Sequence, residues 1–165
     1  MKNISILLLS LINLTTISCN SDNSENYSNK FSNIVVEKSP WILDRVEISQ
    51  IEGIDGYIFN PSEIQEIATL IKNDYYCTLT FNADGTGIWD SEGYCKNCTI
   101  TWQEIIGESR IKWAQRVVIY YYQISHSNQI TELIWNVKNE NGFAVRRPDG
   151  TLITGNYLDR NYIYK

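Results

Sequence analysis

Alternation of apolar and polar side chains is the feature that most restricts the fold of this chain. It begins at Tyr75 and recurs in short segments, which are separated by the turn sequences NADG, SEG, HSNQ, NENG and PDGT. A period of two places every second side chain on the same face, as in half-buried β-strands. Counting by two assigns a common inner face to these residues: Tyr75, Cys77, Leu79, Phe81, Cys98, Ile100, Trp102, Leu133, Trp135 and Val137.

The number and spacing of these segments favour a closed barrel. They run from Trp41 to the last residues, and short turns join consecutive segments. Such a meander either closes on itself or leaves exposed edges, and about eight antiparallel strands close around a filled interior or one small ligand. We therefore predict a mainly β fold, an antiparallel up-and-down barrel of about eight strands.

One segment has the period of a helix instead. Its apolar residues are spaced i, i+3, i+4 and i+7 and form one stripe: Ile64, Ile67, Ala68 and Ile71. Asn60 is a favourable N-cap, and Pro61 is favourable at the first helical position. The sequence therefore predicts one amphipathic helix near residues 61–72, inserted between the first two strands, where it packs on the sheet or covers an open end of the barrel.

The N-terminal segment carries signals for export and anchoring. Lys2 precedes an apolar run that is shorter and more polar than the roughly 20 residues of a transmembrane helix. The motif TISC, with Ser18 before Cys19, resembles the lipobox of bacterial lipoproteins, although Thr16 stands where that family usually has Leu. The resemblance implies a signal peptide over residues 1–18 and acylation of Cys19 as a membrane anchor. The alternative is an ordinary secreted protein in which Cys19 is a free cysteine.

Composition sets the expected boundary of the folded domain. Residues 19–39 are mostly Ser, Asn, Asp, Glu and Lys, and such a stretch buries too little to offset its ordering entropy. We expect a flexible polar tether over 19–39, in which Val35 and Val36 are candidates for a short edge strand, and a folded domain over 40–165. Lipid anchoring implies the cell envelope, at the outer or cytoplasmic membrane, facing the periplasm or the cell surface.

The net charge limits the classes of partner. The chain has 14 Lys and Arg against 19 Asp and Glu, a formal net charge of −5 at pH 7. An acidic chain without a basic cluster does not favour nucleic acid, so no nucleic-acid partner is expected. The expected partners are the membrane, through the N-terminal lipid, and an unidentified protein, polysaccharide or small apolar ligand.

Other segments carry a second resemblance, which concerns the barrel. Trp41 and Leu43 open the domain, and the hairpin CTLTFNADGTG is followed by CTITW. These segments resemble the lipocalin-like domains of lipoproteins from Bacteroidetes-type bacteria, with hairpin positions matched at Leu79, Thr80, Phe81, Asp84, Gly85 and Thr86. The resemblance implies a cup-shaped β-barrel and provides no catalytic residues.

The remaining cysteines offer several chemistries. If Cys19 is acylated, Cys77, Cys95 and Cys98 remain, and the last two form a C-x-x-C motif. An exported chain folds in an oxidising compartment, which favours one structural disulfide. Cys77–Cys95 is the preferred pairing because the SEGYCKN loop returns near the start of the Cys77 strand, while Cys77–Cys98 and Cys95–Cys98 stay open. Zinc bound by these three cysteines and His126, and a thioredoxin-type dithiol, are the less favoured alternatives.

The sequence favours a non-catalytic role. It has a single histidine and contains no G-x-S-x-G motif, dinucleotide fingerprint or phosphate loop. No catalytic residue, metal or cofactor is therefore assigned. The first hypothesis is a structural or interaction module at the cell envelope. The second is a carrier or sensor of a small apolar or amphipathic ligand in the barrel, held by inner side chains: Tyr75, Phe81, Trp102, Leu133 and Trp135.

Overall fold

A closed antiparallel β-sheet forms the body of the structure. A computed structural model describes residues 31–139 and 141–165 of the 165-residue chain. Helix α1 covers the described residues 31–37, α2 is Pro61–Asp74, and a 3₁₀ turn is Ile54–Gly56. The strands are β1 (Trp41–Gly53), β2 (Cys77–Phe81), β3 (Thr86–Ser91), β4 (Cys95–Glu104), β5 (Arg110–Gln115), β6 (Val118–Ser127), β7 (Ile130–Asn139), β8 (Phe143–Arg146) and β9 (Leu152–Tyr164).

The strand order shows how the sheet closes. Neighbouring strands follow the order β1-β2-β3-β4-β5-β6-β7-β9-β8, and β9 also pairs with β1. Strands β1 to β7 together with β9 therefore form a closed antiparallel barrel of eight strands. Strand β8 forms a hairpin with the first residues of β9, with Phe143 opposite Gly155 and Arg146 opposite Leu152. The mainly β barrel predicted from the alternation is confirmed.

The β2–β3 hairpin follows the predicted alternation. Cys77, Leu79 and Phe81 are buried, while the two threonines between them are only half-buried. Gly85 has a φ of +82° in the NADG turn, a conformation that glycine adopts without steric cost. The turn chemistry and the period of two therefore specify this hairpin locally.

Strand β5 was missing from the sequence-based prediction. It pairs with β4 on one side and with β6 on the other, and Arg116 and Val117 form the turn into β6. Arg116 has a φ of +55°, a value that Gly or Asn usually supplies in a two-residue hairpin turn. Because the turn contains neither, no turn signal separates RIKWAQ of β5 from VIYYYQIS of β6 in the sequence.

Helix α2 confirms the predicted helix, and its start follows from its sequence. Asn60 Oδ1 accepts hydrogen bonds from the backbone N–H groups of Ser62 and Glu63, and the Glu63 carboxylate accepts one from the Asn60 N–H. This capping box satisfies N–H groups that have no partner within the helix. The helix buries Ile67, Ala68 and Ile71 and continues to Asp74, so Tyr75 caps it instead of opening strand β2.

The last part of the predicted tether is a helix, which corrects the expected boundary at Pro40. Residues 31–37 form α1, and Val35 is completely buried. The Val35 carbonyl accepts hydrogen bonds from Trp41 Nε1 at 2.8 Å and from Ser39 Oγ at 3.0 Å. The sequence did not predict this helix because its composition is mostly polar. Its few apolar side chains become buried only by contact with the barrel. The folded part therefore includes 31–39, and the predicted edge strand at Val35 is wrong.

The segment with the predicted export and anchoring signals precedes the described residues. The predicted signal peptide, Cys19 and the rest of the predicted tether up to residue 30 lie outside the described residues. Neither helix in the two described ranges is long and apolar enough to cross a membrane.

The two ends of the barrel differ in how they are covered. Helix α1 lies at one end, the α1 end, where Ser39 Oγ accepts a hydrogen bond from the Phe81 N–H. At the opposite end, the α2 end, strand pairing is incomplete. β1 pairs with β2 only at Trp41 and Ile42, and β6 pairs with β7 only over 123–127. The wall is therefore open at the α2 end, and α2 packs there against β1 and β8.

Candidate functional site

Side chains fill the barrel interior. The largest fully buried ones come from seven of the eight wall strands and from α2: Trp41, Leu43, Ile67, Leu79, Phe81, Ile100, Ile111, Trp113, Tyr122, Leu133, Leu158 and Tyr164. Three of the five predicted pocket residues, Phe81, Trp102 and Leu133, belong to this buried core. The Phe81 and Trp102 rings meet with centroids 5.3 Å apart, and Trp102 Nε1 donates a hydrogen bond to the Asn82 carbonyl. These three residues support the fold and do not line a common pocket.

Buried polar groups form a short cluster inside the core. The Cys77 Sγ atom lies 3.4 Å from the Tyr164 hydroxyl, and the Tyr122 hydroxyl donates to the Tyr164 hydroxyl at 3.3 Å. Burial raises the pKa of the Cys77 thiol and of both phenols, so all three groups are neutral at pH 7. The indole N–H groups of Trp89 and Trp113 are buried nearby and form no hydrogen bond with the described residues.

Among the described residues, one disulfide joins Cys95 and Cys98, with 5.8 Å between their Cα atoms, and Cys77 is a buried thiol outside it. The preferred Cys77–Cys95 pairing is therefore wrong. Ser91 of β3 is the ladder partner of both Cys77 and Cys95, so the two cysteines are separated by two strand spacings. That separation is roughly 10 Å, which exceeds the reach of a disulfide. A bulge in β4, with Asn97 at a φ of +51°, instead brings Cys95 towards Cys98.

The alternative zinc ligands are not brought together. His126 lies at the β6–β7 hairpin, where its Nδ1 atom is 2.7 Å from Thr131 Oγ1. That hairpin is at the α1 end, whereas the disulfide lies towards the α2 end. Across 31–139 and 141–165, no group of three His, Cys, Asp or Glu residues is arranged to hold a metal ion.

A cleft of about 410 Å³ lies at the α2 end of the barrel. The C-terminal half of α2 forms one wall, and strand β8 forms the opposite wall. The inner face of β9 and the loop between β3 and β4 complete it. The side chains on which the chemistry of this cleft depends are Asp74, Tyr75, Tyr94, Arg146, Arg160 and Tyr162. We call this space the α2-end cleft.

Aromatic rings line the inner part of the α2-end cleft. Tyr75 lies 5.4 Å from Tyr94 and 4.9 Å from Tyr162, measured between ring centroids. Behind them, Trp135 contacts both Tyr75 and Tyr162, at 5.7 Å and 5.0 Å. Burial raises the pKa of the Tyr75 phenol. Tyr75 and Trp135, the other two predicted pocket residues, are therefore brought together at the cleft.

Arg160 is the charged group on the inner face of β9. Its Nε atom donates to the Tyr162 hydroxyl at 3.0 Å, and its guanidinium carbon lies 5.5 Å from the centroid of the same ring. The terminal nitrogen atoms of Arg160 make no hydrogen bond or ion pair within the described parts of the chain. A half-buried guanidinium with free donors in an aromatic cleft is suited to bind an anion.

A salt bridge holds the β8–β9 hairpin against α2 and so fixes the outer wall of the cleft. Arg147 and Glu66 form a two-bond pair, with Nε to Oε1 at 2.6 Å and Nη2 to Oε2 at 3.0 Å. The hydrogen bond from Arg147 lowers the pKa of the Glu66 carboxyl below its ordinary value. The ionised pair therefore links the β8–β9 hairpin to helix α2.

Sequence reasoning missed Arg160, Tyr162, Asp74 and Tyr94. The signal for the first two was present, because a period of two through NYLDRNYIY places Leu158, Arg160, Tyr162 and Tyr164 on one face. Asp74 and Tyr94 join the site only through tertiary structure, because the helix end and the β3–β4 loop meet at the open end of the barrel. Local pattern alone does not bring them together.

Comparison with known proteins identifies no relative. No protein-family model, no curated protein and no solved structure matches this chain.

Proposed function

We propose that this protein is an exported lipoprotein, anchored by Cys19, whose lipocalin-like barrel is a non-catalytic structural or interaction module at the cell envelope. The TISC motif supports the anchor, and the eight-stranded barrel is consistent with a lipocalin-like module. The observation that carries the proposed role is the filled interior. Trp41, Trp113, Tyr122 and Tyr164 occupy the space in which a hollow barrel would hold its cargo.

The packed core is the reason to prefer an interaction module to a carrier with its ligand inside the barrel. Interior side chains that touch each other leave no room for a ligand unless several of them move, and protein cores resist such changes. Phe81 with Trp102, and Trp113 with Tyr120, are in direct ring contact. A partner at the cell envelope would therefore bind to outer surfaces or to the ends of the barrel.

Replacement of Cys19 tests the anchor. The wild-type protein should partition into the detergent phase, and the Cys19→Ala variant should move to the aqueous phase because a stable anchor needs attached acyl chains. Cys77→Ala is the matched control, since it removes a buried thiol and leaves the lipobox intact. Equal partitioning of the wild-type and Cys19→Ala proteins would contradict the lipoprotein proposal.

Native mass spectrometry of the delipidated protein tests the filled barrel. The expected mass is that of the chain alone, with no apolar molecule extracted on denaturation. A lipid that co-purifies one-to-one, quenches tryptophan fluorescence and raises the melting temperature by mass action would establish the carrier hypothesis instead.

A further inference from the structure

We propose that the α2-end cleft binds a small aromatic monocarboxylate, with Arg160 holding the carboxylate and the surrounding tyrosines holding the ring. This inference concerns the open end of the barrel and is independent of the lipid anchor and of the filled interior. It assigns a small-molecule site to a part of the fold that the structural role does not require.

Arg160 is oriented for anion binding before any ligand arrives. Its Nε atom is already bonded to the Tyr162 hydroxyl, and its guanidinium group lies against the Tyr162 ring. These contacts fix the side chain, so less rotamer freedom is lost when its two terminal nitrogens meet a ligand. Two parallel N–H donors match the two oxygen atoms of a carboxylate.

The walls of the cleft suit an aromatic body. Tyr94 meets Tyr75 at a tilted angle of 59° and is 58% exposed, so it offers ring surface to a further ring. Tyr162 is only 4% exposed and already contacts Trp135 and Arg160, so it supports the inner wall of the cleft. Leu70 and Phe143 add apolar surface from α2 and β8. The volume of about 410 Å³ lies within the range of small-molecule sites, which extends from about 300 to 1,000 Å³.

The charged lining residues favour a single negative charge. Arg160 is the lining cation whose terminal nitrogens have no partner among the described residues, because Arg146 Nη1 donates to the Gly150 carbonyl. A monocarboxylate pairs with the Arg160 guanidinium, whereas a phosphate dianion would bring a second negative charge into a cleft that Asp74 also lines.

A matched pair of ligands tests this assignment. 1-Naphthaleneacetate and the neutral 1-naphthaleneacetamide have the same ring and differ in the charge of the head group. Isothermal titration should show the acid binding at least ten-fold more tightly than the amide. Arg160→Gln should abolish this preference, because the neutral amide side chain no longer pairs with a carboxylate. Arg110→Gln, on the outer wall of the barrel beside Tyr121, should preserve it.

A second variant keeps the test valid if Arg160→Gln proves unstable. Asp74 is exposed at the C-terminus of α2, where a negative charge is unfavourable for the helix, so Asp74→Asn should fold normally. It should tighten binding of the acid several-fold and leave binding of the amide unchanged. Equal affinity for acid and amide, an Asp74→Asn variant that does not favour the acid, or no binding of either ligand would overturn the proposal.

Discussion

Two buried tryptophans provide a matched test of how this core is stabilised. Trp41 and Trp113 are both fully buried, but among the described residues only the Trp41 indole N–H has a partner in hydrogen-bonding geometry. Trp41 Nε1 donates to the Val35 carbonyl and so joins the barrel to helix α1. Within the described parts of the chain, Trp113 Nε1 lies near the Tyr122 hydroxyl but outside hydrogen-bonding geometry. Replacement by Phe removes a similar side-chain volume at both positions. At Trp41 it also removes a hydrogen bond, whereas at Trp113 it removes an N–H group that makes none.

The expected difference follows from these contacts. Loss of roughly 40 Å³ of packed side-chain volume costs about 1 kcal/mol at either position. At Trp41 the lost hydrogen bond adds about 1 kcal/mol. At Trp113 the removal of an unpaired buried donor returns about 1 kcal/mol. Trp41→Phe should therefore lower the free energy of unfolding by about 2 kcal/mol, and Trp113→Phe should change it by less than about 1 kcal/mol.

Urea unfolding followed by far-ultraviolet circular dichroism measures both variants without relying on tryptophan fluorescence. The slope with urea should match the wild-type value, which shows that the same surface is exposed on unfolding. Equal destabilisation by the two substitutions, or a larger effect at Trp113, would refute the reasoning.

Two further predictions concern the thiols and the hairpin. Non-reducing peptide mapping should find Cys95 bridged to Cys98, and native protein should resist alkylation at Cys77, whose burial raises the pKa of its thiol; a bridge to Cys77 would contradict this. The folded-state pKa of Glu66 is lowered by Arg147, so the pair stabilises hairpin docking above the unfolded pKa of about 4.3 and loses that effect as the pH falls through the lowered value. The protection of β8 amides from hydrogen exchange, taken relative to the intrinsic rate at each pH, should therefore fall at acidic pH in the wild type, while Glu66→Gln should show the lower protection already at neutral pH.

Local patterns carried most of the fold prediction. The alternation in CTLTF and CTITW and the Asn60–Pro61 helix start were sufficient for the β2–β3 hairpin, strand β4 and helix α2. These features depend on neighbours in the sequence, so a single chain reveals them. The barrel then follows because the alternating strands have one apolar face to bury.

Tertiary contacts determined what the sequence did not reveal. Helix α1 is stabilised by burial of Val35 against the barrel, and nothing in its polar composition indicates that contact. The disulfide depends on the bulge at Asn97, which the C-x-x-C spacing does not specify. The candidate site shows the same division, because the inward position of Arg160 follows from strand periodicity, whereas the cleft that it lines together with Asp74 depends on how the barrel end is covered.

The pairing of β1 with β9 has a consequence for folding kinetics. Leu43 is opposite Tyr164, so the barrel closes only when segments more than a hundred residues apart in the sequence meet. Contacts of such high sequence separation slow folding, because the entropy of a long loop is lost before the contact forms. During synthesis the earlier strands emerge without the strand that joins β1 to β7, and the closed barrel is first attainable after β9 has been made. The chain therefore remains without its closed barrel, and accessible to chaperones, until its last strand has been synthesised.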